Sequence, residues 1–386
     1  MTQVRRSRRT ILVAHPGSEL YGSDRVLLES VTGLLDHGWH VLVAVPADGP
    51  LVAELRRRGA RVELCVTPVL RKSVLRPRGF ARFAATTARG IVAGAALLRR
   101  ERPAAVYVNT VTIPLWIGLA RLAGVPVVAH VHEGEATASR LVKRILSAPL
   151  LLAQGVIANS RFSVGVLESA FASLGRRTQI VYNAVPGPES RNPARTELDG
   201  DLRVTYVGRL SPRKGVDVAI DAIAELEARG VPARLDLVGA VFPGYEWYER
   251  DLRDKVEAKR LQSRVSFRGF QPSVWDYLSK GDVVLVPSVA DEPFGNTAVE
   301  GILSGRPVIA SATSGLLEAT DGYHTAVTVE PGDVASLADA LERTIADWDT
   351  AAALLEEDVE HAQRKHSPES YRQRIAEIVG GVARRS

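Results

Sequence analysis

The stretch DVVLVPSVADEPFGNTAVEGILSGRPVIAS (282–311) reads in order as strand, loop, helix and strand. DVVLVPS and RPVIAS are dominated by unbroken apolar runs rather than alternation, as parallel strands covered on both faces require. VADEPFG is then the loop leaving the C-terminal end of the first strand, where an open α/β sheet binds its ligands. A helix opening near Gly295 or Asn296 gathers the N–H groups of Phe294, Gly295, Asn296 and Thr297 at an N-terminus that attracts anions. Gly295 lets a ligand come close to the backbone. Glu292 and Glu300 flank this anion site with seven residues between them, and carboxylates repel anions. A division of labour reconciles the two. Backbone amides hold a diphosphate, while each carboxylate accepts hydrogen bonds from hydroxyls on either side, one from a sugar and one from a ribose. Such a ligand is a nucleotide sugar.

The same alternation runs along the whole chain. TILVAH, HVLVAV, RVELCV, AAVYVN, VPVVAHVH, GVIANS and TQIVYN read as strands of a first half. LRVTYVGR, ARLDLVGA, RVSFRGF, DVVLVPS, RPVIAS and TAVTVE read as strands of a second. Helical stretches separate them. In SDRVLLESVTGLLDHG, Val26, Leu27, Val31, Leu34 and Leu35 share one face and Gly38 supplies a stop. PGPESRNPARTELDG (186–200), with three prolines and two glycines, reads as a linker. The expected architecture is α/β: two tandem Rossmann-like doubly wound domains, at 1–190 and 191–366, facing across a cleft between the C-terminal strand ends.

Composition narrows the class. A chain of 386 residues with 46% hydrophobic and 24% charged residues is globular and suits two domains. Cys65 is the only cysteine, so a disulfide framework and a cysteine-based zinc site are excluded, and a reducing cytoplasm fits. Apolar runs fall short of the ~18 residues of a membrane span, and the basic start MTQVRRSRRTILVAHPGS lacks a secretory core. The net charge of +5 hides an asymmetry: residues 1–190 carry +13 and residues 191–386 carry −8. The basic half is expected to meet something acidic.

On two motifs the sequence resembles the retaining glycosyltransferases of family 4, which have the GT-B fold. One is the E-x7-E element after a strand, followed by Gly305-Arg306-Pro307-Val308-Ile309-Ala310. The other is VGRLSPRKGVDVAIDAIAEL (207–226), similar to the family's strand, G-R…K-G turn and helix. The resemblance covers essentially the whole chain. It extends to HSPESYRQRIAEIV, like the helix with which such proteins close, so residues 367–386 are expected to pack back toward the N-terminal domain.

The resemblance implies a metal-independent transfer of a hexosyl unit from a nucleotide sugar, with no cofactor. It makes Arg209 and Lys214 partners of the donor diphosphate, Glu300 a ribose ligand and Glu292 a contact of the transferred sugar. The chemistry agrees: departure of a nucleoside diphosphate builds charge on the β-phosphate, which two cations stabilise most in the transition state. No enzyme carboxylate need attack C1, because the leaving phosphate can take the acceptor's proton on the same face. Glu292 therefore has a positioning and electrostatic role, and a nucleophilic one stays open. His132, in VPVVAHVHEGE, corresponds to the family's histidine near donor sugar and acceptor. His130, two residues back on the same side of an ideal strand, is the alternative. HPGSELYGSDRVLLE matches the family's G-G-x-E-R-V-L in part: Tyr21 replaces the first glycine, Gly22 keeps the second, and Asp24 replaces the glutamate. Gly22 brings backbone toward the acceptor or the sugar-phosphate. Thr325 stands where a glycine is common.

Other features read as follows. DGD (199–201) imitates a D-x-D metal motif but precedes a strand, so it is expected to be solvated linker; DWD (347–349) is weaker. Trp247 and Tyr248 are expected to pack, with stacking on a base as the alternative. Residues 70–102 hold nine Arg/Lys, one Glu and the apolar Phe80, Phe83, Ile91, Val92, Leu97 and Leu98. They form either a solvated helix face or a surface helix drawn to anionic lipids at ~1 kcal/mol per basic residue. A nucleic-acid role is disfavoured because no aromatics interleave with the charges. The leading expectation is a cytoplasmic transferase, peripheral at the inner face of the cell membrane. It would act on a glycan or lipid-linked acceptor in polysaccharide or glycoconjugate biosynthesis. A UDP- or GDP-sugar is favoured, since a deoxyribose carrier lacks the 2′-hydroxyl that Glu300 would bind. The alternatives are a sugar-nucleotide epimerase or phosphorylase on the same fold, and a non-catalytic protein binding glycan or nucleotide sugar.

Overall fold

The computed structural model describes residues 9–20, 22–70, 77–134, 136–242 and 244–385. The chain forms two compact units: the part up to Ala184 together with the part from Pro368 onward, and Val185–Ser367. The first is built on β1 (Thr10–Ala14), β2 (His40–Val45), β3 (Arg61–Leu64), β4 (Ala105–Val108), β5 (Val127–Val131), β6 (Gly155–Ala158) and β7 (Thr178–Ile180). They pair in the order β3-β2-β1-β4-β5-β6-β7, all parallel. The second is built on β8 (Leu202–Val207), β9 (Ala233–Val238), β10 (Val265–Gly269), β11 (Val283–Val286), β12 (Val308–Ser311) and β13 (Ala326–Val329). Their order is β10-β9-β8-β11-β12-β13, again all parallel. Both sheets are the doubly wound architecture expected from the continuous apolar runs, and every residue of β1, β4, β5, β6, β11 and β12 is buried.

Strand order fixes where ligands can collect. Each sheet starts at a central strand, runs outward to one edge, then crosses back to continue on the other side. The switch points fall between β1 and β4 in the first unit and between β8 and β11 in the second. There the loops leaving two adjacent strand ends diverge and open a crevice.

The closing helix Pro368–Arg384 belongs to the core of the first unit. It buries Tyr371, Ile375 and Val379 among Val26, Leu27 and Leu34 of the helix Gly22–Asp36. The two helices touch so closely that a Cβ on Gly33 would lie 2.5 Å from the Arg372 carbonyl oxygen. Buried Glu29 clamps the contact, pairing with Arg372 at 2.5 Å and with Arg58 at 2.8 Å.

The stretch expected to be a linker is docked in its second half. The Arg195 guanidinium meets buried Asp282 at 2.5 and 2.8 Å, and Trp348 Nε1 donates to the Arg195 carbonyl at 3.0 Å. Buried Arg306 is held by backbone. Its guanidinium donates to the carbonyls of Gly281 at 2.7 Å, Gly305 at 2.8 Å and Asn192 at 3.1 Å, pinning this segment to the second unit. Within the DGD motif Asp199 and Gly200 are solvated as expected, whereas Asp201 is ion-paired, to Arg264 at 2.9 Å and also to Arg234. Thr325 uses the hydroxyl a glycine would lack, donating to buried Asp358 at 2.7 Å.

Candidate functional site

In the second unit the switch point brings together the two motifs. β8 ends at Val207, and the Tyr206 hydroxyl donates to the Arg209 carbonyl at 2.8 Å, fixing the turn that follows. The Arg209 guanidinium lies over the Phe242 ring, 3.3 Å from its centroid. Such stacking holds a cation without neutralising it. A short 3-10 turn, Pro212–Lys214, then ends at Gly215, whose φ is 64°. A Cβ there would lie 1.9 Å from the Pro287 carbonyl oxygen. Glycine is therefore required both by the left-handed backbone and by close approach to the end of β11. Val289 N–H donates to the Arg213 carbonyl at 3.0 Å, joining the two loops.

That junction delivers Lys214 to Glu292. Lys214 Nζ lies 2.9 Å from Glu292 Oε1, and the Ser288 hydroxyl donates to the same oxygen at 2.9 Å. Arg213 stands 3.5 Å from it and also donates to the Asp291 carbonyl. Gly315 N–H holds the Glu292 carbonyl at 2.8 Å, and the Ser314 hydroxyl donates to the Asp291 carboxylate. Glu292 is 7% exposed. Burial pushes the Tyr206 phenol well above its ordinary range, and the nearby Glu292 charge adds to the effect. The helix Asn296–Leu303 opens at Gly295, which has no side chain to cap it. Phe294 is buried, its ring edge-on to His366 at 5.6 Å, so it offers a ligand its backbone alone. Asn296, Thr297 and Glu300 are partly exposed. The structure thus places Arg209, Lys214, Glu292 and the 294–297 backbone on loops and a helix start at one switch point, with Glu300 one turn into the helix. Tyr248 packs as expected and donates to Asp217 at 2.9 Å, whereas Trp247, expected to pack, is 44% exposed.

The first unit repeats the arrangement with different chemistry. His15 follows β1, Asn109 follows β4 and His132 follows β5. His132 Nε2 lies 2.9 Å from Asn109 Oδ1, and Asn109 Nδ2 lies 3.1 Å from His15 Nδ1. His15 Nε2 reaches Asp24 Oδ1 at 2.7 Å. His130, the alternative to His132, is wholly buried. Its Nδ1 meets the Tyr107 hydroxyl at 2.5 Å, and its ring centroid is 4.0 Å from that of His132, which is partly exposed. Gly22 opens the helix Gly22–Asp36 and is exposed; Tyr21 lies outside the described residues. Glu133 takes a hydrogen bond from the Thr110 hydroxyl and another from the Val111 N–H at 3.3 Å.

Sequence reasoning missed His15, Asn109, Glu133, Ser288 and Arg213. A histidine closing the apolar run TILVAH was the available signal for His15; the partners become visible only with strand order. Of the basic stretch 70–102, residues 71–76 lie outside the described residues. The helix Pro77–Glu101 buries Leu97 and Leu98 but leaves Phe80 61% and Val92 72% exposed.

Burial holds the His132 pKa down at about 3, with His15 nearby adding to it, and holds His130 well below the ordinary value. Both side chains are neutral when folded, while the unfolded chain takes up protons below pH ~6.5. Stability is therefore full above that pH and lost as the pH falls toward the folded values. Glu133 opposes the trend, because burial raises its pKa. Comparing variants removes that offset. Urea unfolding at pH 7 and pH 5 should show wild type losing up to about 2 kcal/mol more than His130→Gln over the whole interval. Equal losses would contradict a buried neutral His130.

Family models described as Glycosyltransferase Family 4 and Glycosyl transferases group 1 match residues 21–186 and 201–347. The chain is similar to 2-deoxystreptamine glucosyltransferase of Streptomyces kanamyceticus, 29% identical over 278 residues, which is 65% of this chain and 70% of that protein. It is similar to D-inositol 3-phosphate glycosyltransferase of Rhodococcus opacus (strain B4), 33% identical over 185 residues, 46% of this chain and 41% of that one. Anabaena HepE, solved in complex with UDP and glucose, superposes with a TM-score of 0.81 at 23% identity, covering 96% of this chain and 99% of that chain. No helix among the described residues is long and apolar enough to cross a membrane. With one model seated on each unit and the GT-B fold matched nearly end to end, the chain belongs to glycosyltransferase family 4.

Proposed function

We propose that the protein is a retaining, metal-independent hexosyltransferase that takes a UDP- or GDP-sugar. The observation that carries this reading is the junction of Arg209, Lys214 and an uncapped helix start beside ion-paired Glu292, all at the switch point of the second unit. Backbone N–H groups of residues 294–297 hold the diphosphate, and Arg209 and Lys214 take up the charge that grows on the β-phosphate as the bond to C1 breaks. These two cations supply the stabilisation a metal gives in other transferases. Glu300 accepts from the ribose hydroxyls. Glu292, with Lys214 and Ser288 already on Oε1, orients a sugar hydroxyl and balances charge rather than attacking C1. The departing phosphate accepts the acceptor's proton on the face it leaves, which retains the anomeric configuration. In the first unit, His132 and Gly22 are the candidate residues for binding sugar or acceptor. The UDP and glucose bound by Anabaena HepE and the glucosyltransferase named from S. kanamyceticus support the donor class.

The acceptor is a glycan or a lipid-linked glycan. The helix Arg140–Ser147 favours a lipid-linked one: Leu141, Val142 and Ile145 are exposed among Arg140, Lys143 and Arg144. With the exposed Phe80 and Val92, these residues suit an anionic membrane surface.

Product analysis tests the reading. Incubation with α-linked UDP- and GDP-hexoses, an oligosaccharide acceptor and EDTA should give an α-linked product at an undiminished rate. A β-linked product, or loss of activity with EDTA, contradicts it. Conversion of the donor sugar with no acceptor present would favour the epimerase alternative.

A further inference from the structure

Four polar side chains of the first unit form a chain whose direction is set at one end. Asp24, in the first turn of the helix Gly22–Asp36, meets His15 Nε2; His15 Nδ1 meets Asn109 Nδ2; Asn109 Oδ1 meets His132 Nε2. Asp24, His15 and Asn109 are all buried. An ionised carboxylate only accepts, so His15 Nε2 must donate to Asp24. A neutral imidazole then has its lone pair on Nδ1, which takes a hydrogen bond from the Asn109 NH2 group. That orientation turns the Asn109 carbonyl oxygen toward His132. The oxygen can only accept, so His132 carries its proton on Nε2 and leaves Nδ1 bare. Nδ1 of His132 is shielded from water and has no hydrogen-bond partner among the described residues.

Of the neighbouring polar groups, the His130 ring, 4.0 Å away between centroids, uses its Nδ1 on Tyr107, while its Nε2, like His132 Nδ1, is buried with no hydrogen-bond partner among the described residues. Glu133 is occupied by Thr110 and by the N–H groups of Val111 and His132. A buried acceptor left unpaired is destabilising, and an arriving hydroxyl relieves that cost.

We propose that Asp24, acting through His15 and Asn109, fixes the tautomer of His132 so that its bare Nδ1 accepts a hydrogen bond from a hydroxyl of the bound sugar or acceptor. The inference rests on His132 touching substrate, as proposed above. Asp24, His15 and Asn109 are positioning residues: none needs to meet the substrate. The alternative protonation, a charged His15, would reverse the Asn109 amide and put the His132 proton on Nδ1.

Long-range proton–nitrogen spectra of the full chain labelled with 15N-histidine separate the two. His132 is assigned by its loss in His132→Gln. At pH 7 its Nε2 should show the pyrrole-type signal and its Nδ1 the pyridine-type one; the reverse overturns the proposal. This readout needs no variant of the chain's interior. In Asp24→Asn the end group can present either oxygen or nitrogen, so His132 should show both tautomers, and kcat should fall about tenfold. Asp24→Glu, which restores an obligate acceptor, should restore the single tautomer. An Asp24→Asn spectrum identical to wild type overturns the relay. If the spectra are as expected but His132→Gln transfers sugar at the wild-type rate, the relay stands and substrate contact by His132 fails.

Discussion

Lys214→Ala is expected to lower the turnover of sugar transfer by about 10²–10³-fold, as removal of a single preorganised charge-stabilising group does elsewhere. The loss should appear mainly in kcat, because charge on the β-phosphate is greatest in the transition state. A second effect must be separated from it. Lys214 sits 2.9 Å from Glu292, which is nearly buried, so the substitution also strands a carboxylate beside Arg213 at 3.5 Å. With only the more distant Arg213 and the Ser288 hydroxyl left to compensate it, the nearly buried charge destabilises by itself. The double variant Lys214→Ala, Glu292→Gln removes that stranded charge. It should regain thermal stability relative to Lys214→Ala and regain no activity. Recovery of transfer in the double variant would mean that Lys214 serves only to neutralise Glu292. Lys214→Arg keeps the charge but not the compact ammonium, and a partial loss is expected.

Gly215→Ala should be the most damaging small substitution in the second unit. Its φ of 64° is a left-handed conformation, and the added Cβ would lie 1.9 Å from the Pro287 carbonyl oxygen, a backbone atom at the end of a buried strand. The neighbour cannot rotate away as a side chain would. Strain and displacement together should cost about 3 kcal/mol or more, lowering Tm by roughly 6–12 °C in a unit of this size. Gly187, in the proline-rich segment before β8, is the control. A Cβ added there would meet no atom within 4 Å, and its φ lies outside the left-handed range, so Gly187→Ala should shift stability by no more than about 0.5 kcal/mol. Differential scanning calorimetry of the two variants gives the comparison. Similar melting of both would show that the turn before the helix Val216–Ala228 can shift without consequence.

The fold was legible because its strands are buried on both faces. Strands solid with Val, Ile, Leu and Ala, separated by amphipathic helices, leave few alternatives to two parallel sheets. The proposed donor-side residues could be named as candidates because they lie in two short motifs, each a strand, a turn and a helix. What escaped was everything that depends on strand order. His15 and Asn109 are 94 positions apart and meet only because the chain crosses back to put β4 beside β1. The pairing of Lys214 with Glu292 has the same origin, through β8 beside β11. Arg306 illustrates a different limit. Its place in a motif says nothing of its task, which is to bind backbone carbonyls and anchor the segment before β8. The proline-rich composition of that segment signalled a boundary but hid the docking of Arg195 on Asp282.

Calorimetric titration of wild type and Lys214→Ala with UDP, UMP, GDP and GMP tests the central claim most directly. If the diphosphate is gripped at the junction of Arg209, Lys214 and the 294–297 amides, one nucleoside diphosphate should bind wild type about tenfold or more tighter than its monophosphate. That advantage should shrink sharply in Lys214→Ala. Equal affinity of wild type for diphosphate and monophosphate, or an advantage that survives the substitution intact, would contradict the account.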